Sequence, residues 1–152
     1  MWNKMKSLTL SRILVIIMFV FLTVMLVCIP MISKWFDEFS VGKGLFEGSI
    51  FIPVCIMLYI CEVFAFFAVG ALHKLLKNIS CDDVFSNTNA KCLRIISWAC
   101  MLAGLTFAVF SLWRFEFLLA AFFAAFLGLI IRVLKNVFDK AVEIKSENDF
   151  TV

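Results

Sequence analysis

The chain has 152 residues, 64% of them hydrophobic and only 16% charged, with a formal net charge of +3 and a mean hydropathy of +1.05. A soluble domain carries about 45–50% apolar and about 25% charged residues, so the composition excludes a water-soluble globule. The expected class is all-α, an integral membrane four-helix bundle forming a single domain over residues 1–152.

Lys4, Lys6 and Arg12 precede the first apolar run, residues 13–32. The run is longer than a signal-peptide core and no small-residue cleavage site follows it, so it is expected to stay as the first span. Pro30 falls near its outer end, where breaking a helix costs little. Residues 33–49, with three glycines and Trp35, read as an outer loop. The second span, 50–72, is followed by a basic loop from His73 to Arg94. The third span covers 95–112, with Trp98 and Trp113 near its ends, where indole rings favour the interface. A tight turn at Trp113–Glu116 leads to the fourth span, 117–131. Beyond Arg132, the residues Val133, Leu134, Val137, Phe138, Ala141 and Ile144 recur at helical spacing, which predicts a cytoplasmic extension of the fourth helix ending near Ser146.

Lys and Arg number three at the N-terminus, four in the loop and four at the C-terminus, against two and one in the outer segments. By the positive-inside rule this places both termini in the cytoplasm of a multi-pass membrane protein. A topogenic excess of positive charge also accounts for the net charge without any nucleic-acid partner; the expected partner is the lipid bilayer.

Glu62 lies near the middle of the second span, where a carboxylate has no water to solvate it. It is expected in its neutral form and turned into the bundle, since no Lys or Arg lies at matching depth. Tyr59, one turn away, is the candidate to share its proton. The site is either a proton or cation relay or an acid that fixes helix packing. Small residues mark the seams: Ala120, Ala124 and Gly128 with Ala121 and Ala125 in the fourth span, and Cys100, Gly104 and Ala108 in the third. They form an internal contact or the seam of a homodimer, and a four-span chain must first pack itself. Asp82, Asp83, Asn87 and Asn89 are expected to cap the third helix. His73 with Cys81 and Cys92 lacks a fourth metal ligand, so neither a metal nor another cofactor is expected. No nucleophile pair, phosphate loop or dinucleotide fingerprint occurs, which argues against an enzyme.

The loop Asp83–Trp98, DVFSNTNAKCLRIISW, and the ending Lys140–Val152, KAVEIKSENDFTV, resemble the corresponding segments of the YoaS-like family of small bacterial four-span membrane proteins of unknown function. The chain departs from that pattern in two places: Asp83-Val84 stands where the family has Pro before Phe85, and Phe150 stands for Leu. The resemblance implies the bacterial cytoplasmic membrane and a small helix-turn-helix regulator as partner, and no activity. The expected function is a non-enzymatic interaction or regulatory protein using Phe85, Asn89 and Arg94 of the loop with Glu147, Asn148, Asp149, Phe150 and Thr151 of the tail. The alternative is a small-solute or proton-coupled translocator built around Glu62. The tail is expected to fold back on the loop after Ser146, with Asp149 near Arg94 and Phe150 buried.

Overall fold

The computed structural model of the chain describes the backbone of residues 4–40, 44–46, 48–81 and 84–150, and within those ranges the side chains of residues 8–147. Four helices follow one another: α1 Lys4–Phe39, α2 Phe51–Ser80, α3 Asn87–Phe110 and α4 Glu116–Phe150. All four are long and apolar enough to cross a bilayer, so the chain fits a multi-pass membrane protein with the expected four-helix architecture. In lipid every backbone N–H and C=O must be bonded within the segment, which leaves the helix as the only economical spanning form for these runs.

The helices outrun the apolar spans. α1 passes through Pro30 and continues to Phe39, so the expected break at residue 32 does not occur. α2 continues to Ser80, α3 begins at Asn87 rather than at 95, and α4 runs on to Phe150 instead of stopping at Ser146. The reason is physical: hydropathy marks where the bilayer is, while a helix stops only where a breaker or a competing bond stops it. At 36 residues, α1 is about 54 Å long against a hydrocarbon core of about 30 Å.

Neighbours in space are neighbours in sequence: α1 packs on α2, α2 on α3 and α3 on α4, and among the described residues no Cα of α1 comes within 8 Å of α3 or α4. Phe36 stacks on Phe117 with ring centroids 5.3 Å apart, and Met18 and Ile131 line one apolar cavity of about 310 Å³ together with Leu72 and Leu93. Three clusters fill the interior. Val15 and Leu22 meet Val69, with Leu72 and Leu76; Ala71 and Leu75 meet Cys92 and Leu93, with Ile131 and Phe138. These two mark the end of the bundle where α1 begins and α4 leaves, called here the terminal end. Ile50, Val54 and Met57 meet Phe36, Phe107, Phe110 and Phe117 at the opposite, turn end.

The α3–α4 seam is built on the small residues. Gly104 lies against the backbone of Ala121 and Ala125, and Gly128 lies against Met101 and Ser97. The Ser97 hydroxyl donates to the Gly128 carbonyl at 2.8 Å, a bond that only such a close approach allows.

Cross-bonds lock the turn end. The Asp37 carboxylate accepts from the Ser49 hydroxyl at 2.8 Å and from the Ile50 N–H at 2.7 Å, so α1 caps the start of α2. Leu45 and Phe46 N–H groups donate to the Leu112 carbonyl at 2.7 and 3.3 Å. A Cβ on Gly44 would run into the Trp113 carbonyl oxygen, so that approach requires glycine. Arg114 donates through Nε to the Ser40 hydroxyl at 3.1 Å and through Nη1 to the Trp113 carbonyl at 3.0 Å.

Candidate functional site

Glu62 sits on α2 between Met57 of the turn-end cluster and Val69 of the terminal-end cluster. It is buried, at 8% exposure, as expected for an acid turned into the bundle. Its Oε1 finds no hydrogen-bond partner among the described residues. Tyr59 is 41% exposed, and no hydrogen bond joins it to Glu62. Residues three apart on a helix are offset by about 60° around the axis, enough here to put the tyrosine on the outer surface. Among the described residues, two more polar atoms are buried without partners in the same helix pair: Ser33 Oγ on α1 and His73 Nδ1 on α2. The His73 ring meets Phe19 edge-on, centroids 6.4 Å apart.

At the terminal end the connection between α2 and α3 is organised by Asn89, which has 0% exposure. Its Oδ1 accepts from Asn78 Nδ2 at 2.7 Å, and its own Nδ2 donates to the Val84 carbonyl at 2.7 Å. Asn89 thus bonds across the loop and does not stand at the cap position of α3. Ser86 occupies the cap position with extended backbone and makes no side-chain cap bond, while Asn89, inside the first turn, reaches back to hold the loop. Asp82 and Asp83 lie outside the described residues. Asn89→Ala would strand Val84 O and Asn78 Nδ2, at a cost of about 1–3 kcal/mol. Thermal unfolding in detergent is expected to show that loss, with faster amide exchange over residues 84–86.

Phe85 packs on Phe138 of α4, centroids 5.8 Å apart, so α4 meets the loop through Phe138 and not through a folded-back tail. Glu147 is exposed and helical, and the backbone of Asn148, Asp149 and Phe150 continues α4 in the same direction. The turn expected after Ser146 is absent because nothing between Arg132 and Phe150 is a breaker, and the ion pairs of Lys135 with Asp139 and Lys140 with Glu143 run along the helix. The side chains of Asn148, Asp149 and Phe150, and the whole of Thr151, lie outside the described residues. Arg94 faces elsewhere: with Ser97 and Trp98 of α3 it lines a cleft completed by Arg132, Lys135 and Asn136 of α4. None of those α4 residues stands out in the sequence, since basic residues past a span are what topology alone requires.

A family model described as a protein of unknown function, DUF2975, matches residues 47–152. The chain belongs to the DUF2975 family. The matched region takes in α2, α3 and α4, and with them Glu62, the Asn89 loop and the α3–α4 cleft; α1 precedes it. No curated protein and no solved structure matches the chain. As a DUF2975 member with four apolar helices, it is a membrane protein of unknown activity.

Proposed function

We propose that this DUF2975 chain is a non-enzymatic interaction protein of the bacterial cytoplasmic membrane, with both termini in the cytoplasm, that offers the Phe85 loop and the far part of α4 to a soluble partner. The observation behind this reading is the overhang of α4. Among the described residues, Phe138 is the last of α4 packed against a core cluster, yet the helix continues to Phe150, and Ile144 on it is 56% exposed. Val133 and Val137, at 62% and 60% exposure, extend the same apolar stripe back toward the bundle. An apolar stripe on a helix standing clear of its own fold is the surface that helix-to-groove recognition uses. The Lys and Arg balance supports the orientation, and the resemblance to YoaS-like proteins suggests a small helix-turn-helix regulator as the partner class.

Crosslinked capture from native membranes tests the reading. The full chain is expected to bring down one defined soluble protein, Ile144→Asp to lose it, and Glu62→Gln to keep it. Equal capture by the Ile144 variant would overturn the proposal. A second reading, a small-solute or proton-coupled translocator, draws on the unpartnered Oε1 of buried Glu62; a transport defect in Glu62→Gln with capture unchanged would favour it.

A further inference from the structure

The α3–α4 seam opens at the terminal end into a cleft of about 250 Å³ lined by Arg94, Ser97, Trp98, Arg132, Lys135 and Asn136. Three cations face this space, and among the described residues no acid lines it. Lys135 is paired with Asp139, but Asp139 is the more exposed partner, at 44% against 16%, so the lysine lies in the cleft and the carboxylate toward solvent. Arg132 rests over the Trp98 ring with Cζ 5.2 Å from its centroid, and its Nη1 approaches Met101 Sδ at 3.9 Å. Its other N–H groups make no hydrogen bond among the described residues. Arg94 makes neither a hydrogen bond nor an ion pair there. Ser97 spends its proton on Gly128 and holds the two helices at the spacing that leaves the cleft open.

Two guanidinium groups without an ion pair among the described residues, beside an ammonium whose single acid lies on the solvent side, leave the concave site with an excess of positive charge. A planar guanidinium donates two parallel bonds to a phosphate, which makes a phosphate group the anion this set fits best. The source of the phosphate follows from position. Arg132 comes directly after Ile131, where the apolar run of α4 ends, and Trp98 stands level with it, so the cleft opens where the bundle leaves the hydrocarbon. Arg94 and Trp98 also border a second, apolar groove of about 320 Å³, formed by Phe64 and Phe67 of α2 with Ile95 and Leu102 of α3. That groove leads from the charged cleft toward the middle of the bundle. A polar head site joined to an apolar channel is the shape of a phospholipid, and basic pockets between membrane helices recognise anionic headgroups.

We propose that this cleft binds an anionic phospholipid, its phosphate held by Arg94, Arg132 and Lys135 and one acyl chain lying past Trp98 along Phe67 and Leu102. The site needs no soluble partner, so it stands or falls apart from the interaction reading above. The test is the melting temperature of the purified full chain in nanodiscs of phosphatidylcholine, with and without phosphatidylglycerol. Phosphatidylglycerol is expected to raise it by about 3 °C or more. Arg94→Gln/Arg132→Gln should lose most of that rise, while Lys77→Gln/Lys140→Gln, which removes equal charge at the same end but outside the cleft, should keep it. Inorganic phosphate added to phosphatidylcholine nanodiscs should have no effect; a full rise with phosphate and none with phosphatidylglycerol would overturn the lipid assignment. Equal loss in the two double variants would reduce the effect to general charge and overturn the site. Should the arginine variant not fold, Asp139→Asn decides, because freeing Lys135 is expected to enlarge the rise, and an unchanged or smaller rise overturns the proposal.

Discussion

Gly104→Val is expected to destabilise the bundle by about 3 kcal/mol or more, and Gly70→Ala, in the neighbouring helix, to stabilise it. At Gly104 a Cβ alone would stand 2.9 Å from Ala125 N and 3.1 Å from Ala121 O. Both are backbone atoms and cannot swing aside, so a branched side chain must push α3 off α4, break the Ser97–Gly128 bond and open the whole seam. At Gly70 the nearest outside atom is Phe19 Cζ at 4.0 Å. A methyl group fits there without displacement, and replacing a mid-helix glycine with alanine favours the helix by about 1 kcal/mol. Melting temperatures of the two variants in one detergent, alongside the parent, make the comparison. A Gly104→Val protein that melts with the parent would show that α3 and α4 do not meet as described.

Glu62 should separate charge from shape. Glu62→Gln keeps the volume and a neutral polar head, so it is expected to leave stability within about 0.5 kcal/mol of the parent. Glu62→Lys puts a cation about 17 Å from the start of α2, too deep for its stem to reach water, and is expected to cost about 3 kcal/mol and reduce the amount inserted. Membrane-fraction yield and detergent melting measure both. Were Glu62→Gln to abolish folding, the acid would have to be charged and paired, contrary to the unpartnered Oε1.

Much of the fold could be read from local composition. Apolar runs long enough for a bilayer appear as four segments because transfer into hydrocarbon depends on the residues within a segment and hardly on anything else. The depth of Glu62 follows directly, and so does the presence of small-residue ridges at Gly104 and Gly128. The helix ends were not legible in this way: α1 crosses Pro30, and α4 passes Ser146, because a helix ends by bonding and breakers rather than by polarity.

What the tertiary structure alone decided depends on pairs of segments. A linear pattern cannot tell which of two offset ridges meets the partner, and the packed fold chose Ala121 and Ala125, not Ala120 and Ala124, to face Gly104. Nor does it show that Asp37 caps a helix beginning at Phe51, or that Tyr59 turns away from Glu62. Arg94 and Arg132 are 38 positions apart, and each is accounted for separately by topology. Only the register of α3 against α4, set by interdigitating side chains and backbone approach, brings them to one cleft, where neither has an ion pair among the described residues.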